Sequence, residues 1–129
     1  MNHLEFKSPD DGSLLIFDVI SRYKEETVFN VAVKTPWFTG VAPSSTYMVS
    51  SPADLFREMV NDWMGWKQKK TWSDLEERVS FEATSDATGH ISLRIILNGD
   101  NYDSCLKVCV MYEAGQLAAM ANELTIFFG

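Results

Sequence analysis

The run His90-Ile91-Ser92-Leu93-Arg94-Ile95-Ile96-Leu97 places Ile91, Leu93, Ile95 and Leu97 on one side of an extended chain. That period of two does not suit a helix, where side chains repeat every ~3.6 residues, so the segment predicts a strand with one buried face. Turn-forming sequences bracket it, Asp86-Ala87-Thr88-Gly89 before and Asn98-Gly99-Asp100-Asn101 after. Tyr102 to Tyr112, with Leu106, Val108, Val110 and Tyr112 in alternation, reads as its antiparallel partner.

The same reading extends to the first part of the chain. Leu4 to Lys7 precedes a Pro9-Asp10-Asp11-Gly12 turn; Leu14 to Ile20 and Thr27 to Lys34 follow as strands around a polar Tyr23–Glu26 connection. Thr35-Pro36-Trp37 interrupts the pairing, and Thr46 to Val49 is expected to resume it as a short edge strand. Ser51-Pro52-Ala53-Asp54 then starts a helix: Ser51 caps, Pro52 fits the first turn and Asp54 faces the positive end of the dipole. Leu55, Phe56, Met59, Val60 and Trp63 form its apolar stripe, predicting about four turns that end near Gly65. Lys67 to Lys70 reads as a polar link, Phe81 and Ala83 as part of a strand, and Gly115 to Phe128 as a second helix with Leu117, Met120, Ala121, Leu124 and Phe128 on one stripe. With no linker or repeat, residues 1–129 read as a single α+β domain: a mainly antiparallel β-sheet with two amphipathic helices packed on its apolar face.

Charge narrows function. Eleven Lys and Arg against 18 Asp and Glu leave −7 on 129 residues, the wrong sign for binding a phosphate backbone, so no nucleic-acid partner is expected. No apolar run approaches the ~20 residues that span a bilayer, and the N-terminus lacks the pattern of a signal peptide, so a cytoplasmic protein with no membrane partner is expected. Cys105 and Cys109 are four residues apart on a strand, about 13 Å, too far to form a disulfide with each other. With His3 and His90 the only histidines, no spacing suggests a metal site, and no cofactor motif is present. G-x-S-x-G, H-E-x-x-H and G-x-x-x-x-G-K are all missing, so no catalytic residue is nominated.

Trp63-Met64-Gly65-Trp66, Trp72-Ser73-Asp74-Leu75-Glu76, Asp86-Ala87-Thr88-Gly89-His90 and Glu113-Ala114-Gly115-Gln116-Leu117 together form a recognisable pattern. From about Leu55 onward the chain resembles a bacterial family of small domains of unknown function with W-x-G-W, W-x-S-L-E, D-x-x-G-H and terminal G-Q-L motifs. It departs from that pattern where Asp74 intervenes between Ser73 and Leu75. The second half also resembles, over a shorter stretch, immunity proteins that accompany wall-associated contact-dependent toxins. The resemblances imply an uncharacterised bacterial protein and a toxin-neutralising partner role, and neither brings a catalytic residue.

Two sets of residues are candidates for function. Asp54, Glu58 and Asp62 recur every four residues along the first helix and would project a negative strip able to steer a basic partner. Of the tryptophans near Lys67, Lys69 and Lys70, Trp63 is assigned to the core, and at least one of Trp66 and Trp72 is expected to face a partner. The leading expectation is a non-catalytic protein-binding module, immunity- or antitoxin-like, that covers a basic or toxin-like protein. The rival is a small enzyme or ligand-binding protein with a pocket around Asp86, His90 and the tryptophans, although an Asp beside a His at a turn is equally a structural arrangement. Phe127, off the helix stripe in Ile126-Phe127-Phe128, needs either the core or a partner, a homodimer being one such arrangement.

Overall fold

The computed structural model describes residues 1–129 and repeats one plan twice, a four-stranded antiparallel meander followed by a helix. The first unit comprises β1 (His3–Lys7), β2 (Leu14–Tyr23), β3 (Glu26–Lys34), β4 (Thr39–Ser45) and α1 (Pro52–Asn61). The second comprises β5 (Lys70–Ser73), β6 (Val79–Ser85), β7 (His90–Asn98), β8 (Cys105–Glu113) and, after a 3-10 turn at Ala114–Gln116, α2 (Leu117–Phe128). Each unit makes its own sheet, in orders β1-β2-β3-β4 and β5-β6-β7-β8. The α+β class with a mainly antiparallel arrangement and two helices is as read from the sequence; alternation gives buried faces without neighbours, so it did not show that the strands divide into two sheets.

Register explains the core. Leu4, Phe17, Val31 and Ala42 lie in one row across the first sheet, and Trp72, Phe81, Ile95 and Val108 in one row across the second. These rows and the apolar stripes of both helices merge into one cluster of 27 buried residues, with Val108 partly buried against it. The opposite face of the second sheet carries the row Thr71, Glu82, Arg94 and Cys109.

Four expectations are corrected. Thr46–Val49 is a turn rather than an edge strand: the pairing runs earlier, through Pro43, and ends where the Thr46 N–H reaches the Thr27 carbonyl at 3.0 Å. Helix α1 stops at Asn61: the Asp62 N–H makes the last i→i−4 bond, to Glu58, after which the Trp63 N–H turns back to the Val60 carbonyl (3.3 Å) and Gly65, at φ 121°, turns the chain away. Trp63 therefore leaves the apolar stripe and is 60% exposed. Lys70–Ser73, inside what read as a polar link and loop, is a strand held by pairing to β6. Phe127, not Phe128, completes the α2 stripe and is fully buried, so it takes its place in the core rather than against a partner, while Ile126 is 65% exposed.

Polar side chains fasten the two sheets together. Buried Asp74, between β5 and β6, accepts from the Ser44 hydroxyl of β4 (2.5 Å), the Val79 N–H (3.1 Å) and the Arg78 N–H (2.8 Å). The Tyr112 hydroxyl of β8 donates to the Phe6 carbonyl of β1 at 2.9 Å, and burial pushes that phenol up. Removing a buried acceptor strands its donors, which is costlier than losing the bond itself. Asp74→Ala should therefore lower stability by about 2–4 kcal/mol and Ser44→Ala by about 1 kcal/mol in urea unfolding; equal, negligible losses would show that this contact does not join the sheets.

Candidate partner-binding surface

Ser51 starts α1 as its sequence implies, its hydroxyl accepting from the Ala53 N–H at 3.2 Å. With Leu55, Phe56 and Met59 turned into the core, Arg57 and Glu58 are left exposed and Asp54 half-buried. Asp54 pairs with Arg57, whose guanidinium also donates to Thr125 Oγ1 of α2 at 2.7 Å. Asp62 lies just past the helix and pairs with Lys70 Nζ at 2.7 Å, while that ammonium sits 5.5 Å from the Trp66 ring centre. Two of the three carboxylates in the strip thus have cations of their own, and Glu58 has none. The Asp54–Arg57 pair, about half exposed on both sides, is of a kind worth ~0–1 kcal/mol, so a partner's cation can replace Arg57 at little cost; Lys70 is more buried and holds Asp62 more firmly.

The tryptophans take different roles. Trp66 is half-buried, its indole N–H donating to the Ala83 carbonyl at 3.1 Å. Trp72 is only 5% exposed: its N–H donates to the Ser50 carbonyl at 2.7 Å and its ring lies 5.7 Å from Phe81, so it belongs to the core and cannot meet a partner. Of these three tryptophans the exposed one is Trp63, beside Met64, which is 81% exposed. Gly65 marks the end of the helix in the sequence, but nothing there placed the last turn ahead of Trp63.

Bordering α1 is a cleft of ≈ 450 Å³ between the β2–β3 turn, the β4–α1 connection and the end of α2. Glu25, Glu26, Tyr47, Met48, Arg57 and Phe128 contribute to its walls. Sequence reasoning missed it, since its walls come from four separate parts of the chain.

Asp86 and His90 stand at the β6–β7 turn, both about half exposed. Asp86 Oδ1 accepts from the His90 N–H (3.0 Å), the Thr88 N–H (2.8 Å) and the Thr88 hydroxyl (2.8 Å). These bonds, the His90 N–H first, hold its carboxyl well below the ordinary range. His90 Nδ1 lies 3.1 Å from Asp86 Oδ2 and 2.8 Å from Thr88 Oγ1, and Nε2 is 3.5 Å from Glu113. Oδ1 of the carboxylate thus closes the turn, and Oδ2 faces the His90 ring. A cavity of ≈ 390 Å³ next to His90 is lined by Pro9, Asp10, Met111 and Glu113, with no tryptophan. No group of three or more His, Cys, Asp or Glu is placed to hold a metal ion, both cysteines are unpaired and exposed, and no helix is long and apolar enough to cross a membrane.

A model of a family of unknown function (DUF6228) matches residues 6–129. No curated protein and no solved structure matches the chain.

Because folding lowers the Asp86 pKa, its contribution to stability is present above the ordinary value of 3.8 and is lost as pH falls through the lower folded value. Asp86→Ala should be less stable than the parent at neutral pH, with the difference closing below pH 3.8 in urea titrations. A gap independent of pH would show that the carboxylate charge does not hold the turn.

Proposed function

The chain belongs to DUF6228, a family of unknown function, and from that premise we propose a non-catalytic protein-binding module that covers a basic partner with an acidic, aromatic-bearing surface. The role is that of an immunity or antitoxin-like protein in the bacterial cytoplasm, the partner being a basic, toxin-like protein. One observation carries the reading. Trp63 and Met64, 60% and 81% exposed, stand next to Asp62 where α1 ends, with unpaired Glu58 one turn back on the same helix. Tryptophan and methionine are over-represented at protein interfaces, and a carboxylate rim steers a cationic partner and fixes its orientation. The cleft at the start of α1 adds Glu25 and Glu26, neither of which has a cation partner. Function of this kind requires complementary surface and no reacting group, consistent with Asp86 being committed to a turn.

Affinity capture from the source cells at low and high salt, followed by binding measurements on the retained protein, tests the proposal. A basic protein held at low salt and released at high salt is expected. Trp63→Ala should weaken that complex at least about tenfold, chiefly by speeding its dissociation, while Glu58→Lys should chiefly reduce the association rate. A captured complex indifferent to both substitutions and to salt would overturn the reading.

A further inference from the structure

Edge strands leave half of their backbone hydrogen-bonding groups free, and this fold has four edges. β1 and β5 are short, five and four residues, and the Phe6 carbonyl of β1 also accepts from Tyr112. β8 is longer and its Met111 carbonyl accepts from Ser8 Oγ at 2.6 Å; the backbone groups of Lys107 and Cys109 point the same way and are open too, but the Lys107 cation stands among them. β4 bears no charged side chain. At its two ends the Thr35 N–H meets the Phe38 carbonyl (2.8 Å) and the Thr46 N–H meets the Thr27 carbonyl (3.0 Å). With the intervening register Val33–Gly40, Val31–Ala42 and Phe29–Ser44, the antiparallel pattern points the backbone groups of Gly40, Ala42 and Ser44 toward β3. Those of Thr39, Val41 and Ser45, and the carbonyl of Pro43, point the other way, and no turn, loop or cap bond meets them.

Away from β3, β4 borders a groove. One cavity, ≈ 280 Å³, lies between Gly40–Ala42 and the β7–β8 turn; a second, ≈ 180 Å³, lies between Pro43–Ser45 and the β5–β6 turn; Arg78 lines both. The two turns form one wall because the Tyr102 hydroxyl donates to the Glu76 carbonyl. Arg78 presents no free positive charge, being paired with Asp100 at 2.8 Å and donating to the Asn98 carbonyl at 3.0 Å. Glu76, Glu77 and Asp103 on the same turns are exposed and have no cation partner. Exposed Trp37 and Phe38 stand at the tip of the β3–β4 hairpin, at one end of the groove.

We infer that the free edge of β4 binds an extended, lysine- or arginine-bearing segment of a partner protein, which adds to the first sheet as a fifth strand. The inference rests on the reading of a basic protein partner and names how part of it is held. Backbone bonds to Val41 and Ser45 supply affinity that does not depend on sequence, while the carboxylates of the two turns select cationic side chains on the incoming strand. A second copy of this chain is the wrong occupant. It would bring Glu76, Glu77 and Asp103 against their own counterparts, and Pro43 would leave a missing donor on both strands.

The test titrates isotope-labelled protein with a synthetic peptide as long as β4 that alternates lysine and valine, and with a counterpart carrying glutamate for lysine. In the free protein, Val41 and Ser45 amides should exchange with solvent much faster than those of Ala42 and Ser44. The lysine peptide should shift the Val41 and Ser45 amides and slow their exchange at least about tenfold, and the glutamate peptide should do neither at about 1 mM. Val41→Pro, which deletes an outward donor, and the double charge reversal Glu76→Lys with Asp103→Lys should each weaken binding at least about tenfold; the second variant leaves the backbone of β4 untouched. Lysine-peptide shifts confined to α1 would overturn the edge site and leave the basic-partner reading standing. Equal binding of both peptides would count against both, and no shift at all would overturn the edge site alone.

Discussion

Phe17 is the centre on which both halves of the fold converge. Its ring lies between 6.0 and 6.2 Å from those of Phe6, Phe29, Phe81, Phe127 and Phe128, which come from β1, β3, the second sheet and α2. Burying a phenylalanine contributes ~1.5–3 kcal/mol and each ring pair ~0.5–1.5 kcal/mol more, whereas the exposed ion pairs contribute ~0–1 kcal/mol apiece. Aromatic packing therefore decides the arrangement and surface charge does not. Neither meander closes this cluster alone, so two sheets that share no backbone ladder are nonetheless one folding problem.

Because that packing is non-directional, it does not by itself set how the sheets are aligned. Directional bonds across the interface do. Asp74 receives three donors from two segments, Tyr112 reaches β1, and Ser8 reaches the Met111 carbonyl of β8. A slip of one residue between the sheets would strand several buried polar groups together, a cost that no rearrangement of a single apolar side chain offsets. At Gly40 a Cβ would run into a methyl of Leu106 on β8, which would have to move aside. The inward positions of β4 are accordingly Gly40, Ala42 and Ser44, the smallest available side chains.

Most of the fold was legible because its strands carry their own signal. Ile91, Leu93, Ile95 and Leu97 alternate without interruption, and β7 is where that pattern lies. β5 was not legible: Lys70-Thr71-Trp72-Ser73 holds one apolar residue and is a strand because Trp72 packs on Phe81 and pairs with it. The acidic strip on α1 was visible in its spacing, but the cations that meet Asp54 and Asp62 were not. Arg57 lies on the helix itself, where an (i, i+3) pair was there to be noticed, whereas Lys70 arrives from another strand. Trp63 and Trp72 exchanged roles for a similar reason. Helical spacing nominated Trp63 for the core without knowing that Asp62 would end the helix, and nothing local told that the Trp72 indole would find the Ser50 carbonyl.

Charge on the finished surface is unevenly settled, and the unevenness follows the architecture. On the outer face of the second sheet, neighbouring strands bring Glu82 to Lys69 and Arg94, and His90 to Glu113, so the register itself supplies partners. On the outer face of the first, His3 sits between Asp18 and Glu5, whose hydrogen bonds raise its pKa. Turns and helix faces have no such register. Asp10, Asp11, Glu25, Glu58, Glu76, Glu77, Asp103 and Glu123 are left without cations on turns and helices, as is Glu26 at the start of β3; of these, Glu25 and Glu26 line the large cleft and Glu76 lines the groove beside β4. Part of the uncompensated negative charge thus borders concave surface and the open edge of β4 rather than the flat sheet faces. A cationic protein approaching this molecule would be drawn toward those features by the long-range field before any contact formed.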